Sequence, residues 1–261
     1  MYKITKHICF YFLEERVVYI NRIIKETESY DHTTDIFIHT NNIHVNMETF
    51  DEYSNGSLTV VHHDLSMCHP FMLTWKCREL MKQQKDEYDI FMYIEDDILV
   101  PRSAITYWLD YKNKLNDYNV GFVRIEYGND GNEYITDLPG KQLDTFVKIQ
   151  DEIYCVNNIN PYCAFWIYDK NDFDTFIKTK FYDRPNLPMY GLREQSAIGM
   201  TPHCVGRYKD TLIPVVRGKL IDECKVYHLP NNYVVNNSTS FATIHFDDAL
   251  QNIKEFLDCI P

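Results

Sequence analysis

The sequence predicts an α/β protein with a mostly parallel central sheet covered by helices on both faces. Two observations carry that expectation. Apolar runs of strand length alternate with longer segments of helical periodicity through the first half of the chain, the pattern of parallel strands joined by crossover helices. The composition is also that of a folded chain, with 45% hydrophobic and 25% charged residues among 261. A chain of this length buries roughly 70–75% of its unfolded surface, enough for one core with a side lobe.

Residues 7–13 read as a first strand and 15–30 as a helix, with Val17, Ile20, Ile23, Ile24 and Thr27 at helical spacing. Residues 35–40 form a second strand, closed by Asn41 and Asn42, and 58–62 a third. Pro70 suits a first helical turn, and Phe71, Trp75, Leu80 and Met81 keep one face apolar up to Lys85. Residues 89–94 are a fourth strand. Pro101 to Ser103 opens a helix through Ile105, Trp108, Leu109 and Leu115, and 121–126 makes a fifth strand. The second half is less regular. A turn at Gly128–Gly131 leads into a meandering stretch, followed by strands at 152–156 and 162–168 and a helix from Asn171. Beyond a loop at 185–188 come a short helix at 191–200, strands at 212–217 and 225–228, and a closing helix over 247–260. No flexible run separates the halves, so residues 1–261 are expected to form a single domain whose character changes near residue 128.

The 38 Asp and Glu outnumber the 26 Lys and Arg, for a formal charge of -12. Such an acid excess argues against nucleic acid and anionic lipid as partners, since both are held by basic side chains. The apolar N-terminal run is too short for a membrane span, lacks a small-residue cleavage site and meets Glu14-Glu15-Arg16 at once. The eight cysteines include no Cys-x-x-Cys pair, and Cys9 and Cys163 sit in apolar runs. Reduced thiols in a cytoplasmic protein are the expectation, so the sequons at Asn55, Asn236 and Asn237 meet no glycosylation enzyme.

The sharpest local feature is Glu95-Asp96-Asp97, three carboxylates delivered by an apolar strand to its C-terminal end. Open α/β sheets bind ligands at that end of their strands. Three neighbouring acids repel one another and call for a cation. Mn²⁺ or Mg²⁺, hard ions with oxygen ligands, would serve and would also neutralise a diphosphate. The competing reading is a solvated acidic turn.

An apolar strand ending in Glu95-Asp96-Asp97 resembles the Asp-x-Asp metal motif of GT-A-fold glycosyltransferases. The sequence from Tyr190-Gly191 through Arg193-Glu194-Gln195 resembles the acidic motif carrying their catalytic base, although the family has an acid where Gln195 stands. His228 resembles their late metal-binding histidine, and the run from His69-Pro70 to Trp75 is similar to glycosyltransferase-like proteins of eukaryotes and large DNA viruses. The resemblance implies a GT-A-like, Rossmann-type fold with a nucleotide-sugar-binding half, 1–127, and a smaller acceptor-binding half, 128–261. It implies transfer of a sugar from a nucleoside diphosphate sugar, most often a UDP-sugar, to the hydroxyl of a glycan or other acceptor. Asp97 and His228 would hold Mn²⁺ or Mg²⁺, with Glu95 or Asp96 binding water, ribose or the ion's outer shell. Glu194 would be the general base of an inverting reaction, its pKa raised by burial. A retaining course stays open. So do two rivals, a sugar nucleotidyltransferase, which normally has a glycine-rich loop where Leu13-Glu14-Glu15-Arg16 has no glycine, and a non-catalytic carbohydrate-binding protein.

Other residues carry paired readings. Arg78 could touch a phosphate or lie on a helix surface, and Asn41 could meet a nucleotide base or form a turn. Arg124 and Glu126 share one strand face, either lining an acceptor pocket or pairing as surface ions. His62, His63, Cys68, His69 and Cys77 are rich in metal-ligand types but fit no common zinc spacing, so strand-end and capping roles are expected. Trp75 and Trp166 read as core, and Tyr127, Tyr162 and Tyr190 as candidates for sugar stacking.

Overall fold

The computed structural model describes residues 1–179, 181–182, 191–198, 209–236 and 241–259. In chain order the first elements are β1 (Lys3–Phe10), α1 (Val17–Glu28), β2 (Thr33–Thr40), β3 (Leu58–His62), α2 (Leu73–Gln83), β4 (Ile90–Glu95), β5 (Ile98–Leu99) and α3 (Arg102–Lys112). Next come β6 (Asn119–Val120), β7 (Val123–Tyr127), β8 (Glu133–Ile135), β9 (Phe146–Ile149), β10 (Glu152–Val156), β11 (Phe165–Asp169), α4 (Lys170–Phe176) and α5 (Glu194–Ile198). The last are β12 (Thr211–Val216), β13 (Lys219–Leu220), β14 (Lys225–His228), α6 (Asn232–Asn236), β15 (Ile244–His245) and α7 (Ile253–Asp258).

The chain is α/β, with mixed sheets. It divides into two compact units, Met1–Arg102 with Ala164–Met200, and Ser103–Cys163 with Thr201–Pro261. The division expected near residue 128 is therefore displaced, because strand pairing returns a later segment to the first unit. In that unit the strand order is β11-β4-β1-β2-β3. The β4, β1, β2 and β3 neighbours run parallel, and β11 is antiparallel to β4. The fifth strand expected from residues 121–126 is thus replaced in this sheet by Phe165–Asp169. Its rings stack into the sheet's apolar layer, Trp166 on Tyr93 with centroids 5.7 Å apart. Residues 123–127 become β7 of the second unit instead.

Alternation along β1 shows why helices cover both faces. Lys6 reaches Thr27 of α1 and Tyr30 just beyond it. On the opposite face, His7 meets Gln84 at the end of α2, and the Cys9 thiol points at the Leu73 carbonyl. Ile20, Ile23, Ile24 and Thr27 form the buried stripe of α1, as their spacing predicts.

The second unit holds two sheets. One has the order β13-β12-β10-β9, antiparallel throughout, with β6 added parallel to β12. In the other, β15-β8-β7-β14, only β7 and β14 run parallel. A mostly parallel sheet is therefore a property of the first unit alone. The closing helix expected over 247–260 is interrupted. A 3₁₀ turn at Phe246–Asp248 precedes α7, and Asn252 between them takes a left-handed conformation (φ 62°) that no continuous helix admits. Among the described residues, no helix is long and apolar enough to cross a membrane, and seven cysteines are unpaired.

Lys6 is a fully buried amine, donating to Thr27 Oγ1 at 2.6 Å and Tyr30 Oη at 2.8 Å. Burial lowers its pKa from 10.5 to about 7, against a smaller opposing pull from Glu26. Between these values the unfolded chain binds a proton that the folded chain has lost, so stability rises as pH climbs from 7 towards 10.5. Thr27 and Tyr30 keep their own bonds to the Ile23 and Val100 carbonyls without the amine. Lys6→Met is therefore expected to raise stability at pH 7 by about 1–3 kcal/mol, after allowing for two lost hydrogen bonds. It should also flatten the alkaline rise, which urea unfolding at pH 7 and pH 10 would measure.

Candidate functional site

The strand β4 is buried along its whole length and ends on Glu95, opposite Cys9 of β1 in the parallel register. Asp96 and Asp97 form the turn into β5. The three carboxylate residues are only 6%, 3% and 5% exposed, which rules out a solvated acidic turn. Beside them a cavity of about 220 Å³ is lined by the ends of β1 and β4, by Pro70 and Phe71, and by Leu73 and Thr74 at the start of α2. Arg16 and Arg193 complete its polar wall, and Tyr11, Leu13 and Cys9 add apolar surface.

The cation demanded by the acids is present in the chain. Arg16, in the 3₁₀ turn that follows β1, places Nη1 2.5 Å from Asp96 Oδ1 and Nη2 2.5 Å from Asp97 Oδ2. One planar guanidinium thereby ties two carboxylates, a geometry that the point charge of a lysine could not reproduce. Burial pulls the Arg16 pKa down, but the two aspartates outweigh it and hold the group charged. Asp96 moves the other way, its pKa well above the carboxylate range because of burial and then repulsion from Asp97, with Arg16 opposing. A single arginine is insufficient compensation for that cluster. Arg193 adds a looser pair, Nε 3.6 Å from Glu95 Oε2, with its guanidinium 5.4 Å from the Phe71 ring centre.

The donor set suits a hard divalent ion. Among the described residues Asp96 Oδ2 is buried without a hydrogen-bond partner, the kind of oxygen that a cation or a proton must satisfy. Among the described residues no three His, Cys, Asp or Glu side chains are already gathered around one point. For the Cys9 thiol in the cavity wall, burial, then Cys77 and the acids, push the pKa well above normal and favour the protonated form.

The remaining sequence-derived candidates fall in several places. Arg78, expected on a phosphate or on a helix surface, is neither. It is 4% exposed, and its two Nη atoms donate to the carbonyls of Phe181, Tyr182 and Ser196. Asn41 is used in the chain, its Oδ1 accepting from Phe12 N at 3.0 Å, a bond to the segment after β1 and not one within a local turn. Glu194 opens α5 and is half-buried, and its carboxylate lies over Gly191, where a Cβ would overlap Glu194 Oε2. It is the preceding Arg193, and not Glu194, that lines the cavity. Trp75 is core and donates to the Leu192 carbonyl at 2.9 Å, and Trp166 is 6% exposed.

His228 belongs to the second unit. It is buried, its Nδ1 2.5 Å from Glu126 Oε1, while Glu126 Oε2 accepts from Val234 N at 2.7 Å. Arg124 shares that strand face but pairs with Asp137, through Nη2 at 2.7 Å and Nε at 3.1 Å. Arg124 and Glu126 are thus neither a surface pair nor partners of each other. Each is buried with its own partner. Tyr127 is exposed and stacks on Tyr227, Tyr162 lies near the Arg124 guanidinium, and Tyr190 falls outside the described residues.

The histidine- and cysteine-rich group does not assemble into one centre. His69 caps the 3₁₀ turn that precedes α2, His62 meets the Val45 carbonyl and Cys77 the Thr74 carbonyl. His63 instead ends a chain of three stacked imidazoles with His39 and His7.

Arg16 and Arg193 are the site residues that the sequence did not single out. Their only sequence signal was position, Arg16 directly after the first strand and Arg193 beside Glu194. The chain matches no protein-family model and no curated protein.

Proposed function

We propose that this chain is a glycosyltransferase of GT-A-like fold that takes a nucleoside diphosphate sugar at the cavity beside Glu95 and Asp96. The observation that carries the reading is the meeting of two guanidiniums with buried carboxylates at the C-terminal ends of parallel strands, the end at which such sheets bind ligands. The mixed charge suits an anion bound together with a cation better than either alone. Arg16, Arg193 and the first turn of α2 would hold the diphosphate, since helix N-termini and arginines both favour phosphate. The apolar wall of Leu13, Tyr11 and Phe71 offers a surface for a ring. At about 220 Å³ the cavity is smaller than the roughly 300–1,000 Å³ of drug-sized ligand sites, so it fits one part of the donor, not the whole of it.

Asp96 and Asp97 would hold Mn²⁺ or Mg²⁺, which supplies Lewis-acid stabilisation of the departing diphosphate. In the structure itself Arg16 bonds one oxygen of each aspartate. Glu95, braced by Arg193, adds negative charge beside them. Glu194 is proposed as the acceptor's general base, as a half-buried carboxylate directly after Arg193 of the cavity wall.

A panel of nucleotide sugars with Mn²⁺ tests the reading. The matching donor, at about 100 times its Kd, should raise the melting temperature by roughly 5–10 °C and release nucleoside diphosphate slowly. Asp97→Asn should abolish the metal-dependent part of both effects. Metal-dependent hydrolysis that survives in Asp97→Asn would remove that residue from the site. A shift with free sugars alone, without metal dependence or release, would favour the carbohydrate-binding rival.

A further inference from the structure

Arg16 occupies the position that a divalent ion on Asp96 and Asp97 would need. Its two Nη atoms take one oxygen from each aspartate, 2.5 Å away in both cases. Of the two oxygens left over, Asp96 Oδ2 is buried and has no hydrogen-bond partner among the described residues, and Asp96 itself lines the cavity. A small hard ion held at roughly 2.0–2.6 Å can take that oxygen first. To bind Asp97 as well, it would have to use an atom in contact with Arg16 or immediately beside one. Two cations cannot share that space without strong repulsion, so a fully bound ion and the forked arginine exclude each other.

The side chain also has somewhere to go. Arg16 is 26% exposed, ends a short 3₁₀ turn just before α1, and lines the cavity together with Arg193. An anion there would offer it acceptors to replace the two it gives up.

We propose that Arg16 is a built-in counter-cation, exchanged for a divalent ion when a diphosphate enters the cavity, and that it then becomes a ligand of that diphosphate. The proposal rests on the reading of this cavity as the donor site. Metal and nucleotide then bind cooperatively, because the ion alone must evict Arg16 into a cavity with no anion to receive it. By linkage, the factor by which nucleotide tightens metal binding equals the factor by which metal tightens nucleotide binding.

The test is titration of Mn²⁺, followed by the spin-resonance signal of the free ion, with and without UDP. Wild type, Arg16→Gln and Arg16→Lys are compared, each first checked for folding by circular dichroism. Arg16→Gln should bind Mn²⁺ alone at least about tenfold more tightly than wild type, the equivalent of one charge-assisted hydrogen bond no longer broken. UDP should tighten Mn²⁺ binding strongly in wild type and much less in Arg16→Gln. Arg16→Lys, which keeps the charge but cannot fork, should fall between the two and decides the matter if Arg16→Gln fails to fold. If wild type binds Mn²⁺ and the variants bind it equally or more weakly, the exchange is wrong while the donor-site reading stands. If no protein binds Mn²⁺ with or without UDP, the metal-dependent reading falls and the exchange falls with it.

Discussion

Arg78→Ala is expected to lower the unfolding free energy by about 3–5 kcal/mol, read as a fall in the urea midpoint without a change in slope. The guanidinium is almost wholly buried, and burial lowers its pKa. Among the described residues its partners are not carboxylates but carbonyl oxygens, those of Phe181, Tyr182 and Ser196. The Tyr182 hydroxyl returns a bond to the Arg78 carbonyl. Three rings surround the cation, Trp75 at 4.3 Å and Phe176 and Tyr182 at 5.3 Å. Truncation to alanine leaves three acceptors without their donor and opens a hole among the rings, two separate penalties. Arg78→Lys should recover less than half of the loss, because one ammonium cannot bond three carbonyls fixed by a planar fork and does not stack on Trp75 in the same way. Binding at the cavity should weaken with Arg78→Ala only in proportion to unfolding. Weaker nucleotide binding at undiminished stability would instead return Arg78 to the site.

Arg78 also shows where sequence reasoning ends. A lone arginine on an amphipathic helix reads as solvated, and nothing within α2 reveals that residues a hundred positions later supply its acceptors. Local pattern was enough elsewhere. Residues 58–62, 152–156 and 225–228 are strands with the bounds their alternation and flanking turns predict. The stripe on α1 is likewise a local property. Pairing between distant strands is not, so residues 121–126 were expected in a sheet whose place is taken by Phe165–Asp169. Lys6 was hidden for a related reason, as a basic residue near the N-terminus that the pairing of β1 with both β2 and β4 carries into the core. In the site, Glu95-Asp96-Asp97 was legible because an apolar strand running into three acids is a one-dimensional signal. The need for a cation was legible from the same acids. That the chain supplies one itself was not, because Arg16 reaches them only through the turn after β1.

Stability should fall steeply on mild acidification, and the cause lies in His7, His39 and His63. Their rings line up from β1 and β2 to the residue just after β3, with neighbouring centroids 5.0 Å apart. They are joined edge to edge by nitrogen–nitrogen hydrogen bonds of 2.8 Å, His7 to His39 and His39 to His63. Gln84 Oε1 accepts at the far end, 3.0 Å from His7 Nε2, so His7 donates through Nε2 and accepts at Nδ1 from His39, whose own Nδ1 accepts from His63. Every ring needs only one proton for this chain. Burial lowers the His7 pKa from 6.5 to about 3, against a weaker opposing effect of the Gln84 bond. Burial, then the neighbouring imidazoles, take His39 well below its usual value, and burial with Lys76 and His62 takes the half-exposed His63 to about 4. All three are depressed in the fold, so between these values and about pH 6.5 the unfolded chain binds more protons. Their stabilising contribution is complete above pH 6.5 and is lost as pH falls. Each deeply buried imidazole gives a slope of about 1.4 kcal/mol per pH unit, so His7 and His39 together should cost roughly 4 kcal/mol between pH 7.5 and pH 5. His63 adds less because solvent screens it. Urea unfolding across that range measures the slope, and His39→Leu isolates the source. The variant should be less stable at pH 7.5 by about 1–3 kcal/mol, having lost two hydrogen bonds, yet it should lose stability with acid only about half as steeply. An unchanged slope in His39→Leu would mean that the acid sensitivity arises elsewhere and that this imidazole chain takes up protons without penalty.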